Sequence, residues 1–179
     1  MASFVSEMEL TEAANDLDAL FRAHYGRLVR ALTLVAGSRE AANDAVQEAF
    51  VKAHLHWRRV GRYEDPVGWI RRVAINKLRD DHRRQGRKER AIERVAAEQR
   101  TDTAHRVGVQ WSDGADAAEL LANLPRQQRL AVALFYVEGL SVAEVASTLD
   151  ISDGAVKFHL HQGREKLRGI VSARRGASA

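Results

Sequence analysis

Apolar residues along this chain recur at intervals of three and four rather than two, and that single period predicts helix nearly throughout. Helices are expected from about Asp16 to Val35, from Arg39 to Trp57, and from Asp65 to about Arg84, the last with frayed helix continuing toward Ala97. Asp65 can cap the third helix, and Pro66 suits its first turn, where a missing N–H leaves no bond unmade. A second helical cluster runs from Ala117 to about Ser172, with breaks near Pro125, Gly139 and Asp150. The expected fold class is therefore all-α: two small helical domains joined by a flexible linker, the C-terminal one a helix-turn-helix. The domains are expected at 1–97 and 117–179, with a linker at 98–116 where Thr, Gly, Ser and Asp replace the helical period and Trp111 is the exception.

On the second helix, Ala42, Ala45, Val46, Ala49, Phe50, Ala53 and Trp57 form one core-facing arc. The opposite arc holds Asp44, Gln47, Glu48, Val51 and Leu55, so carboxylates and an amide surround two aliphatic side chains that a solvated helix has no need to expose. Such a mixture suits docking onto another protein. On the third helix, Val67, Ile70, Val73, Ala74 and Leu78 make the expected buried stripe, leaving Trp69, Arg72, Asn76, Arg79 and Arg83 on the other side. Arginines neutralise phosphates, an indole stacks on an unpaired base, and an asparagine amide both donates to and accepts from a base edge. The loop from Val60 to Pro66 adds Arg62 and Tyr63, which can line a pocket for an extruded base. The competing structural reading packs Trp69 against a neighbouring helix.

The segment GLSVAEVASTLDISDGAVKFHLHQGREKLR, Gly139 to Arg168, has helix-turn-helix grammar. Ser141 and Glu144 have capping-box spacing, Ala146 is small enough for a close helix crossing, and Ser152 can cap the second helix. In that helix Val156, Leu160, Gly163 and Leu167 face inward. Ala155, Phe158, His161 and Gln162 point out, flanked by Lys157, Arg164 and Arg168. The outward set suits a DNA major groove: amides and imidazoles reach base edges, Phe or Ala meets a thymine methyl, and cations hold phosphates.

Charge sharpens this picture. The net charge is only +4, but it is segregated along the chain. Ten Lys or Arg stand against five Asp or Glu between Arg62 and Arg90, two against five from Glu98 to Glu119, and six against one from Lys157 to Arg175. Two basic patches separated by an acidic connector imply two contacts with a polyanion. There are no cysteines, which excludes disulfides and thiolate metal sites and fits a reducing, cytoplasmic compartment. The first residues are acidic rather than basic, and no apolar run is long enough to span a bilayer, so neither export nor membrane insertion is expected. The seven histidines are scattered: His54 and His56, like His159 and His161, sit two apart on diverging faces with no carboxylate at metal-ligand spacing. No Gly-rich phosphate loop occurs. No enzyme, cofactor or metal site is expected.

With both helical units in place, the chain resembles the sigma factors of bacterial RNA polymerase, specifically the small extracytoplasmic-function (ECF) group with only the second and fourth conserved regions. The resemblance covers about Asp16 to Arg168. DAVQEAFVKAHLHW (Asp44 to Trp57) is similar to the segment that docks on the polymerase clamp. WIRRVAINKLRDDHRR (Trp69 to Arg84) is similar to the segment that melts and reads the minus-ten element, and Leu124 to Arg168 to the region that reads the minus-thirty-five element. The resemblance implies core polymerase contact by Asp44, Gln47, Glu48, Val51 and Leu55. It implies minus-ten contacts by Arg62, Tyr63, Trp69, Arg72, Asn76, Arg79 and Arg83, and minus-thirty-five contacts by Ser152, Ala155, Lys157, Phe158, His161, Gln162, Arg164 and Arg168. Where relatives usually have Thr, Ser and Arg in the recognition helix, this chain has Ala155, Phe158 and Gln162, so a promoter sequence is not inherited. The implied partners are the beta-prime clamp and beta flap of core RNA polymerase, promoter DNA and an anti-sigma factor. The acidic linker would thread toward the polymerase active site and RNA-exit path. The reading from another class is a polymerase-independent helix-turn-helix regulator, which would need a ligand pocket or a receiver with alternating strands in its N-terminal half.

Overall fold

The computed structural model describes residues 2–96 and 115–177, with side chains placed over 16–87 and 117–175. All regular structure in these residues is helical. The order is α1 (Ala2–Ala36), α2 (Arg39–Leu55), α3 (Trp57–Val60), α4 (Pro66–Ala96), α5 (Ala115–Ala122), α6 (Arg126–Val132), α7 (Val142–Leu149) and α8 (Asp153–Ala177). Most of the linker expected at 98–116 lies outside the described residues, Trp111 among them; its last two positions begin α5. Helix α1 starts well before the expected Asp16, and the helix expected to run from Arg39 to Trp57 breaks at His56 before the short α3.

The caps explain the boundaries. Ser38 Oγ accepts from the Ala41 N–H, and Asp65 Oδ1 accepts from the Gly68 N–H at 2.8 Å with Pro66 as the first helical residue. Ser141 and Glu144 form a complete capping box, and Ser152 Oγ accepts from the Ala155 N–H. Asp150 closes α7 in the left-handed region at φ 57°, which turns the chain between the two helices of the helix-turn-helix. Beyond Val132, α6 widens into a π turn over Ala133–Val137, with Glu138 N bonding back to Ala133 O.

Helices α1, α2 and α4 pack around Leu28, Leu32, Val46, Phe50 and Ile70, while α6, α7 and α8 pack around Leu130, Leu134, Val145 and Val156. Phe21, Tyr25 and Phe50 stack at the α1–α2 crossing, and Tyr25 Oη donates to Asn43 Oδ1. The two cores meet. Helix α1 packs on α5, α6 and the π turn, and α4 packs on α7, so one continuous apolar cluster runs through both halves.

Three residues correct the expected α4 stripe. Val73 is only partly buried, whereas Ile75 and Arg71 are buried. The stripe runs 67, 70, 71, 74, 75, 78 because it faces the C-terminal helices as well as α1 and α2.

Candidate nucleic-acid interface

Helix α2 presents Asp44 and Gln47 exposed, Glu48 half-buried, and Val51 and Leu55 exposed at 52% and 70%. Those two aliphatic side chains stand in water because the α2 core arc is already filled by Ala42, Ala45, Val46, Ala49, Phe50 and Ala53. A shallow open cleft runs from this arc to α4, lined by Ala41, Asp44, Gln47, Val51 and Asp81. Glu48 is less free than its neighbours: Lys52 Nζ lies 2.8 Å and Lys77 Nζ 3.0 Å from its carboxylate. Hydrogen bonds from both lysines hold Glu48 below the usual carboxylate range, and the bond to Glu48 raises Lys77. Lys77 also reaches Asp81 at 3.4 Å, so it ties α2 to α4, a role its local pattern did not suggest.

On α4, Arg72, Asn76 and Arg83 are exposed on one side, with Arg62 and Tyr63 on the preceding loop. Trp69 is half-buried and packs against the core with part of its ring, a compromise between the stacking and packing readings. Arg79 is also half-buried. Asn76 lines a second cleft with Lys52, Val73, Asp80 and Arg84, close to the α2 face. Sequence reasoning missed Arg71 as a structural residue. Its position four after Val67 and four before Ile75 places it on the stripe, so the signal was present in the spacing.

In the helix-turn-helix, Val156, Leu160 and Gly163 are buried and Leu167 is partly buried. Phe158 is 57% exposed, with His161, Lys157, Arg164 and Arg168 exposed around it. Ala155 and Gln162 are half-buried at the edge of that face, and Ser152 is engaged as a cap. Arg168 Nη1 bonds Glu165 at 2.5 Å on the surface, an exposed pair worth little and easily exchanged for a phosphate. An exposed phenylalanine ringed by cations gains nothing from water but can pack on a base or a thymine methyl.

The chain matches the family models for "Sigma-70 region 2" over residues 20–88 and "Sigma-70, region 4" over residues 115–167. Among similar proteins, "ECF RNA polymerase sigma factor SigE" of Mycolicibacterium smegmatis is 33% identical over 162 residues, 87% of this chain and 61% of that protein. Thus the chain spans about three-fifths of that relative's length. "ECF RNA polymerase sigma factor SigM" of Mycobacterium tuberculosis is 32% identical over 86% of this chain and 76% of its own length. "RNA polymerase sigma factor CarQ" of Myxococcus xanthus is 30% identical over 89% and 91%. Two solved structures share the fold. The sigma factor RpoE, in complex with the anti-sigma factor NepR from Bartonella quintana, has a TM-score of 0.69 at 19% identity over 88% of this chain and 97% of that one. CnrH, in complex with the cytosolic domain of CnrY, has a TM-score of 0.64 at 25% identity over 92% and 95%. With both sigma-70 regions present in order and a relative covered over three-quarters of its length, the chain belongs to the ECF group of the sigma-70 family of RNA polymerase sigma factors.

Proposed function

We propose that this protein is an alternative sigma factor: it binds core RNA polymerase, directs it to particular promoters and helps melt the minus-ten element. The observation that carries this reading is the pairing, in one chain, of a docking helix that leaves Val51 and Leu55 in water with two separate basic faces, on α4 and α8. In this reading Asp44, Gln47, Glu48, Val51 and Leu55 meet the clamp. Arg72 and Arg83 hold phosphates beside the melted strand, Asn76 reads a base there, and Arg62, Tyr63, Trp69 and Arg79 border that contact. Phe158, His161 and Gln162 with Ala155 read the minus-thirty-five major groove, while Lys157, Arg164 and Arg168 hold its phosphates. The domain division at 1–97, 98–116 and 117–179 follows the same reading.

The sigma factor contributes binding and strand separation and no catalytic step of its own, and it works in the cytoplasm beside core polymerase and promoter DNA. Among the described residues no helix is long and apolar enough to cross a membrane. RpoE and CnrH were each captured with a partner, NepR and CnrY, and an anti-sigma factor is proposed for this chain on that likeness. A polymerase-independent regulator accounts for α7 and α8 but leaves the match over 20–88 unexplained. Run-off transcription from a genomic promoter library with core polymerase tests the reading. Transcripts that start at defined sites only when the chain is added are expected; equal output with core polymerase alone would refute it.

A further inference from the structure

The outward side of α8 divides into two rows that differ in chemistry. Lys157, His161, Arg164 and Arg168 follow one another at spacings of three and four, and all are exposed. Gly154, Phe158, Gln162 and Glu165 form the neighbouring row at the same spacings. The first row carries the positive charge. The second holds no cation: it presents bare backbone, a phenyl ring, an amide and, at its far end, a carboxylate. At Gly154 an added Cβ would meet only Ser152 Oγ, at 3.8 Å, so no side chain stands between the start of α8 and a surface that approaches it. Glu165 is bonded to Arg168 and lies about three turns into the helix, beyond the N-terminal part of a recognition helix that meets base edges. Base reading is thereby left to Gly154, Phe158 and Gln162, with half-buried Ala155 at the edge.

Phe158 does not swing freely. Its ring stands edge-on to His159, with centroids 5.8 Å apart and planes at 63°. His159 is half-buried, and its Nδ1 is buried with no hydrogen-bond partner among the described residues, so packing rather than a polar bond holds it. A phenyl ring offers nothing to the O6 and N7 acceptors of guanine, which arginine or lysine reads, but it covers the 5-methyl group that only thymine carries in the major groove. The Gln162 amide has the donor and acceptor that match adenine N6 and N7. The row that faces the bases therefore lacks a guanine reader. Phe158 and Gln162 are about one turn apart, roughly 5.4 Å along the axis against roughly 3.4 Å per base step, so the pairs they meet lie one or two steps apart.

We infer that α8 selects an element centred on A·T pairs: Phe158 packs on a thymine methyl and Gln162 pairs with an adenine one or two steps away. Lys157, Arg164 and Arg168, on the neighbouring row, hold phosphates and carry no sequence information. The assignment rests on the proposed minus-thirty-five contact by α8, and it names the base pairs that this contact takes.

Two selections test it. The full chain with core polymerase directs run-off from the genomic library, and the full chain alone enriches duplexes from a random pool at low salt, where phosphate contacts tighten every complex. Each should yield an element whose most sensitive pairs are A·T, with a thymine and an adenine one or two steps apart. Replacing that thymine by deoxyuridine, which removes only the methyl, should lower binding about fourfold, the equivalent of ~0.8 kcal/mol for one buried carbon. In Phe158→Ala the two should bind alike. Gln162→Arg should turn the preference at the adenine into one for guanine by about tenfold. Lys157→Ala should weaken binding to all sequences alike. Phe158 and Lys157 are exposed, so these variants should keep their helices by circular dichroism; should Phe158→Ala not fold, Gln162→Arg and the deoxyuridine substitution still decide. An element dominated by guanine, a methyl effect that survives Phe158→Ala, or a Lys157→Ala loss confined to one base pair overturns the inference. Failed run-off beside an enriched A·T element counts against the sigma function and leaves the inference standing. Defined transcripts from guanine-centred elements do the reverse, and enrichment in neither selection overturns both.

Discussion

Gly163 offers a quantitative test of how the recognition helix is seated. It is buried on the inner side of α8, and a Cβ built there would lie 2.8 Å from Val132 Cγ2 on α6 and 3.7 Å from Leu124 Cδ1. Two effects of Gly163→Ala have opposite signs. Alanine in a helix interior is worth about 0.5–1 kcal/mol over glycine. Against this, carbon atoms prefer about 3.5–4.0 Å, and forcing a methyl into a filled core costs about 1–3 kcal/mol. The obstructing atom belongs to a β-branched side chain with one favoured rotamer, so relief requires α8 itself to shift. The expected net effect is a loss of about 1 kcal/mol, together with weaker minus-thirty-five binding as the Phe158 face tilts. Val132→Ala removes the obstructing methyl and should be destabilising alone, yet in the double variant the new methyl occupies the vacated space. The pair should therefore be more stable than the sum of the single changes by about 1 kcal/mol or more, well beyond the ~0.5 kcal/mol scatter of independent sites. Urea unfolding of the four proteins measures this. A stabilised Gly163→Ala that adds simply with Val132→Ala would show that α8 does not rest on α6 through this contact.

Asp44→Lys should weaken recovery of the core polymerase complex with the melting temperature unchanged, because Asp44 is exposed; Glu48→Lys should weaken recovery and also loosen α2 from α4, since Glu48 is bonded to Lys77. Unaltered co-purification for both would remove α2 from the docking face. Asn76→Ala should cost about 1–3 kcal/mol of discrimination at a single minus-ten position. Arg83→Ala should weaken binding to all sequences and reduce the salt slope by about one. Open-complex formation on base-substituted promoters, with a salt titration, separates the two, and a uniform loss for Asn76→Ala would make it a phosphate-side or structural residue. Ser141→Ala should destabilise by about 0.5–2 kcal/mol near neutral pH by removing the cap. Hydrogen bonds from Ser141 hold the Glu144 carboxyl below its ordinary 4.5, so this stabilisation is present above pH 4.5 and is lost as pH falls through the lowered value. Unfolding curves should show the gap between parent and Ser141→Ala narrowing on acidification; a gap that widens would refute the capping role.

Local chemistry alone determined most of the individual elements. The three-and-four period marked the helices, Asp65 with Pro66, Ser141 with Glu144, and Ser152 marked their starts, and the wheel separated the buried Ala42, Val46 and Phe50 from the exposed Asp44, Val51 and Leu55. These features depend on residues within four positions of one another, and so they are written in any short window. The faces of α8 were legible for the same reason, down to the exposed Phe158 and the inward Gly163.

Tertiary structure decided what each face meets. Arg71 stood among the arginines of a basic helix, and only the approach of Glu138, 67 positions along the chain, makes it a buried partner rather than a solvated cation. Lys77 becomes a bridge because α2 brings Glu48 to it. Arg129 bonds the nearby carbonyls of Ala122 and Leu124 within its own half, and gains Val35 O as an acceptor only because α1 closes over α6. Periodicity reports which side of a helix is covered but carries no information about the distant segment that covers it. A charge takes its meaning from the groups within a few ångströms and from their shared loss of water, and those are set by packing across the chain.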